Sequence, residues 1–326
     1  MPKEQTHFIL AGRAVEALGE GLVRKAVTRA PNLFLLGAVI MDTPLYALSE
    51  KEICFPLTER LHGQEGENPF LDTARVLEEF GPRYPDEATS FCMGVVSHVM
   101  ADASFHPFVT YISGNCHHPL SQVRSLCLAR HRRAETLLDT LFLKVNQLVK
   151  ARTFYRLTRA SEVVPEVLRG MAMSLFGVSG ERWDRRVRHM MASHGFLQAM
   201  FMQHPISHVV HWVSRHLAGR VEGLDALFYP YDGKKPQISP DEVLSYVHPV
   251  TGRHRETTLG RLSERAVRSA AEIFRAISRY SNTTQAAEHL RGIRAPSPET
   301  GLPGVGAREM VHFNQGIDIE GLFRIL

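Results

Sequence analysis

Residues 91–115 read FCMGVVSHVMADASFHPFVTYISGN, and His98, Asp102 and His106 recur in them at every fourth position. Each step of four advances an α-helix by about 40°, so the three side chains fall on one face within about 80°. The rest of the stretch is apolar (Phe91, Met93, Val95, Val96, Val99, Met100, Phe105). The pattern predicts a buried helix over 86–105, with Pro107 just beyond its end. Ionisable groups on a buried stripe need partners. A carboxylate between two imidazoles can bind two cations and bridge them. Hydrogen bonding within the protein is the other reading, and the triplet alone does not choose.

Working outward, the hydrophobic period stays helical. It predicts helices over 14–28, 33–48, 73–80, 120–149, 163–176, 181–202, 206–217 and 256–281. Strand-like alternation is nearly absent, so an all-α fold is expected. Breaks are expected at 116–119, 177–180, 229–240 and 292–306. The last, GIRAPSPETGLPGVG, reads as a linker or surface loop. The expected organisation is a helical catalytic domain over 1–235 and a helical extension over 236–326, packed on it. No internal repeat is found.

Composition narrows the chemistry. The chain has 326 residues, 44% hydrophobic and 22% charged, ordinary globular usage. No run approaches the roughly 18 apolar residues of a membrane span, and the start, MPKEQTHFILAGRAVEALGE, lacks a secretory apolar region. A cytoplasmic chain without a transmembrane segment is expected. The four cysteines (Cys54, Cys92, Cys116, Cys127) form no CxxC pair, which excludes a zinc ribbon and argues against a disulfide scaffold. Seventeen histidines point instead to imidazole and carboxylate as metal ligands. Charge is uneven: net −3 over 1–149, +7 over 150–220 and balanced thereafter. A solvated helix face is the preferred reading of the basic segment, and an anion-facing surface the alternative.

Four further pieces carry candidate ligands. His131 and Glu135 stand at i, i+4 in RHRRAETLLD, with Asp139 continuing the row. His7 follows Thr6 near the start. Asp42 ends the apolar GAVIMD, where helix capping is its plainer reading. His62 lies in the loop RLHGQEG.

In order, Thr6-His7, GAVIMDTPLYAL, LHGQEGENPF, the 91–115 stretch and RHRRAETLLDTL resemble the zinc-dependent phospholipase C family, in particular its signal-less bacterial members. That family is related to the fungal single-strand-specific nucleases. The resemblance is strongest over 5–145 and looser to about 235. It implies a multi-helix single domain and two or three Zn²⁺ ions. Asp42, His62, His98 and Asp102 would hold the first, His106, His131 and Glu135 the second, and His7 with the bridging Asp102 the third. Secreted members also use a processed N-terminal residue, for which the Pro2 amine would stand in. The tryptophan expected there is missing, and Met41 replaces the family's proline before the first aspartate.

The resemblance further implies a hydrolase that attacks a phosphodiester with zinc-activated water. Asp42 would orient or deprotonate that water as well as bind metal. The partners would be a phosphoester, with a phospholipid the favourite, and transiently a membrane surface. A nuclease or soluble phosphoesterase stands second, and a non-catalytic metal-stabilised helical protein third. There is no HExxH, GxSxG, adjacent His-Asp pair or Walker-type motif. His204, His208, His211 and His216 form another group, read as pocket wall or packed residues before metal ligands. Met190, Met191, Met200, Met202, Phe196 and Phe201 are expected in the core.

Overall fold

The computed structural model describes residues 3–145, 152–216, 223–230, 236–314 and 316–325. The fold is all-α, built around α6 (Pro85–Ser113). Every residue from 88 to 113 except Tyr111 is buried, as an apolar-all-round helix requires. Five earlier helices precede it: α1 (Glu4–Glu16), α2 (Leu22–Arg29), α3 (Pro31–Gly37), α4 (Lys51–Leu61) and α5 (Pro69–Phe80). After it come α7 (Ser121–Val145), α8 (Phe154–Arg159), α9 (Pro165–Phe176), α10 (Glu181–Phe201) and α11 (His204–His216). The C-terminal part adds β1 (Leu244–Val247), β2 (His254–Thr257), α12 (Leu259–Ile277), α13 (Thr283–Gly292) and α14 (Ile319–Leu322).

Helices α1, α2, α3, α5, α7 and α12 pack around α6, which joins two apolar clusters. Residues 88–100 of α6 face the first cluster, with α2, α3, α5, α9, Phe274 of α12 and Leu290 of α13. From residue 101 on, α6 faces the second, with Leu137 and Leu141 of α7, Leu262 of α12 and Tyr246 of β1. Residues beyond 236 therefore supply walls to both cores. No helix of the described residues is long and apolar enough to cross a membrane.

Local signals set several boundaries. Asn68 caps α5 by accepting from Phe70 N, with Pro69 at the first helical position. Thr258 caps α12, and Gly177 ends α9 in the left-handed region at φ 64°.

Several expectations are corrected. The helix expected over 14–28 is two helices, α1 and α2, broken around Gly19 and Gly21. The one expected over 33–48 is α3 followed by a tight 3-10 turn, Ile40–Tyr46. Helix α6 does not stop before Pro107 but continues to Ser113. Proline removes one hydrogen bond, to the Ala103 carbonyl, and burial on all sides outweighs that loss. A small hairpin was missed: β1 and β2 pair antiparallel, from Leu244 opposite Thr257 to Val247 opposite His254. Phe196 is 64% exposed, against its expected core position, whereas Met190 and Phe201 are buried. The part of the 120–149 prediction beyond α7 lies outside the described residues.

Candidate metal centre

Helix α6 presents His98, Asp102 and His106 on one face, fully or almost fully buried. The residues opposite them come from four other elements. Asp139 on α7 takes the backbone N–H of Gln5 (2.9 Å) and Thr6 (2.8 Å) and the hydroxyls of Thr6 and Tyr229. It thereby caps the start of α1 and seats His7 over α6. One turn and two turns earlier on α7, Glu135 and His131 face His106. The 3-10 turn carrying Asp42 is pinned where Thr43 Oγ1 meets His194 Nδ1 (3.0 Å) and Tyr46 OH donates to Glu4. His62 ends α4, just before the left-handed Gly63.

The first group closes tightly. His98 Nε2 lies 3.1 Å from Asp102 Oδ2 and 3.8 Å from Asp42 Oδ1. His62 Nε2 is 3.2 Å from both Asp42 Oδ1 and His98 Nε2. His7 Nε2 is 3.3 Å from Asp102 Oδ1, and its ring stacks on His98 at 4.3 Å. His62 donates Nδ1–H to Thr58 O (2.8 Å) and His98 donates to Ala38 O (2.9 Å). Those two bonds fix the tautomers and leave both Nε2 lone pairs aimed inward.

The second group lies one helical turn along α6, about 6 Å further. His131 Nε2 is 2.8 Å from Glu135 Oε1, and His106 Nε2 is 3.9 Å from the same oxygen. Three sets of donor atoms come within ion-binding reach: His7–Asp42–His98, His62–His98–Asp102 and His106–His131–Glu135. All eight residues singled out from the sequence are thus brought into one region. A ligand role for the Pro2 amine lies outside the described residues.

Whether a cation fits is answered by the polar atoms themselves. Both ring nitrogens of His7 and of His106, both oxygens of Asp102 and Oδ1 of Asp42 are buried without a hydrogen bond to any of the described residues. Leaving so many polar atoms unsatisfied is costly, and acceptors turned toward one another are what a bound cation would satisfy. The donor set is nitrogen and oxygen only, which suits Zn²⁺. Electrostatics agree. Burial disfavours a charged His98, yet Asp102 and Asp42 beside it raise its pKa to about 9; without an ion these carboxylates draw a proton onto the imidazole, and a bound cation would displace it. Asp102 is held well below the usual carboxylate range despite its burial, by the imidazoles around it. Burial keeps His106 and His131 well below the ordinary imidazole value, hence neutral, as ligands must be.

Asp139 is no part of either group; its carboxylate is committed to α1. His211 approaches Asp225 at 4.0 Å and joins no metal-sized group among the described residues, and the His216 side chain lies outside them. Within the basic segment 150–220, Arg188 pairs with Asp184 and Arg169 with Asp184 and Glu166, while Arg186 pairs with Glu50 from outside it, so these pairs offset little of its positive excess. A groove of about 540 Å³ between Ala47–Glu50 and α10, lined by Arg182, Arg185 and His189, contains none of the eight. One acidic residue near the centre was not anticipated. Glu299, within the stretch expected as a linker or surface loop, reaches His106 Nδ1 at 3.4 Å. Its ProSerProGluThrGly context carries only turn signals.

Residues 6–176 match the sequence model of the zinc-dependent phospholipase C family. The match spans more than half of the chain, and the protein belongs to that family, a family of hydrolases that depend on zinc. No curated protein and no solved structure matches it.

Proposed function

We propose that the protein is a zinc-dependent phosphodiesterase of the phospholipase C type, with Asp42, His62, His98, Asp102, His106, His131, Glu135 and His7 as its metal ligands. The observation that carries this is the convergence of buried acceptors without hydrogen bonds on α6. When bound, zinc lowers the pKa of a coordinated water to about 7 and offsets the charge of a phosphoryl oxygen.

The chain's own residues supply the rest. Thr58 O and Ala38 O hold His62 and His98 with Nε2 toward the centre. Asp102 stands between His7, His62 and His98, placed to be shared between ions. Asp42 keeps 7% side-chain exposure where Asp102 has none. It is therefore the carboxylate of this group that can take a proton from the attacking water and pass it to solvent. His131 and Glu135 also keep some exposure, at 16% and 11%, which leaves solvent a way to the second group. Leu45 and Leu48, exposed on the turn that carries Asp42 and just past it, favour a lipid over a nucleic acid.

The test is elemental analysis of the purified protein, followed by assays on phosphatidylcholine vesicles, a soluble choline phosphodiester and an oligonucleotide. Bound zinc with release of a phosphorylated headgroup is expected. A protein that holds no zinc, manganese or iron sinks the proposal, and cleavage of the oligonucleotide alone replaces it with a nuclease.

A further inference from the structure

Residues 295–306, within the stretch expected as a linker or surface loop, are packed on the protein. They form a strap laid across the centre. Pro296 and Pro303 pair antiparallel at its base. Ser297 and Thr300 are buried, and the Thr300 hydroxyl donates to Val305 O at 2.8 Å, closing the loop on itself. One side of the strap is fitted to the 62–66 loop. A Cβ on Gly63 would stand 2.9 Å from Ser297 Oγ, one on Gly66 2.7 Å from Gly304 O, and one on Gly306 2.3 Å from Gln64 O. The other side is fitted to α6. Gly301, at φ +68°, lies so close that a Cβ there would be 2.5 Å from the Ala103 carbonyl. That is the carbonyl Pro107 leaves without its helical donor. The strap is therefore held at both edges by close contacts, those of Gly66, Gly306 and Gly301 to backbone atoms that leave no room for a side chain.

Between those edges stands Glu299. Its Oε2 lies 3.4 Å from His106 Nδ1, while His106 Nε2 points to Glu135 Oε1 on the other side of the ring. Metal-binding histidines commonly give their second ring N–H to a carboxylate, which sets tautomer and ring angle. His62 and His98 already have backbone carbonyls in that role. His106 makes no such carbonyl bond to any of the described residues.

We propose that Glu299 is the positioning residue of His106: it accepts the Nδ1–H and so presents Nε2 to the His131–Glu135 metal group. The inference rests on reading that group as a metal site. It also assigns a task at the centre to a segment beyond the 6–176 family match. In this role Glu299 does not touch the substrate. It keeps one imidazole in the single tautomer and orientation that lets it act as a ligand.

The experiment uses the full chain and zinc alone as the probe. Competition with a chelating dye gives the affinity of each ion, and nitrogen NMR of the zinc-loaded protein gives the His106 tautomer. Glu299→Ala is expected to weaken one ion by about 10–100-fold and leave the others unchanged. Glu299→Gln keeps the length and an acceptor oxygen without the charge, and about a tenfold loss is expected. Should the alanine variant fail to fold, the glutamine variant decides. Parental affinity for every ion in the folded variants, or His106 bound through Nδ1 in the parent, overturns the proposal. A parent that shows this zinc pattern but cleaves no diester would overturn the phosphodiesterase reading and leave the role of Glu299 standing. A parent that cleaves diester with variants of unchanged affinity would do the reverse.

Discussion

Replacing Gly94 by alanine tests how the centre is held. Gly94 and Gly37 face each other where α3 crosses α6. A Cβ on Gly94 would lie 2.0 Å from Phe34 O and 2.8 Å from Ala38 N, and one on Gly37 2.0 Å from Phe91 O. The obstacles are backbone atoms, so no side chain can swing aside. Reaching ordinary contact at about 3.4 Å means moving α3 off α6 by roughly 1.4 Å. Overpacking a core costs about 1–3 kcal/mol, and backbone obstacles place this change near 3 kcal/mol. The displacement also draws Ala38 O, now 2.9 Å from His98 Nδ1, out of hydrogen-bond reach. Gly94→Ala should therefore melt about 4 °C below the parent. It should also bind zinc about 10–100-fold more weakly, because a bond orienting a ligand is lost. Differential scanning calorimetry and chelator competition measure the two. A variant that melts within about 1 °C of the parent and keeps its zinc affinity would refute the account of the crossing.

Three further outcomes follow from the geometry. Chelation should lower stability reversibly, by about 4 kcal/mol when free zinc had stood at about a thousand times its Kd, and urea titration before and after zinc is restored checks this. Asp139→Asn should cost about 2–3 kcal/mol in urea, since an amide nitrogen would face donors that the carboxylate now satisfies at Gln5 N, Thr6 N and Tyr229 OH; stability within 0.5 kcal/mol of the parent, roughly the scatter of a surface change, would contradict the capping role. For Glu4, burial opposes ionisation, but His194, Lys3 and Tyr46 outweigh it and hold the pKa at about 2 against an ordinary 4.5. A lowered carboxyl pKa stabilises fully above the ordinary value and fades as pH falls toward the folded one, so metal-free protein should lose about 3 kcal/mol from this group between those pH values. Glu4→Gln should lack that part of the acid slope, and parallel curves for parent and variant would count against it.

The sequence makes α6 and its candidate ligands readable because helical spacing alone puts His98, Asp102 and His106 on one stripe. The same holds for His131 and Glu135, and there the regularity also misleads. Asp139 fits the row equally well, yet it caps α1, because which end of α7 faces the centre is a matter of packing. Pro107 reads as a stop, and the helix passes through it because its surroundings are apolar on every side. Glu299 had no periodic signal at all. A loop residue becomes part of a site only through the tertiary contacts of its neighbours, here the glycines at 63, 66, 301 and 306. The split between α1 and α2 was hidden likewise: the close approach of Gly21 to Ser278, 2.9 Å for a Cβ, is made by a residue 257 positions away.

The packing of α12 against α6 bears on the order of synthesis. The eight candidate ligands are all present once residue 135 has been made, but α6 still lacks the wall supplied by Leu262, Ala266, Ala270 and Phe274. At about 5–20 residues per second, the ribosome needs roughly 6–25 s more to reach α12. Throughout that interval the nascent chain carries an uncovered apolar helix beside an incomplete centre. It then exposes apolar surface to other chains, and the candidate centre is complete only once α12 and Glu299 have followed.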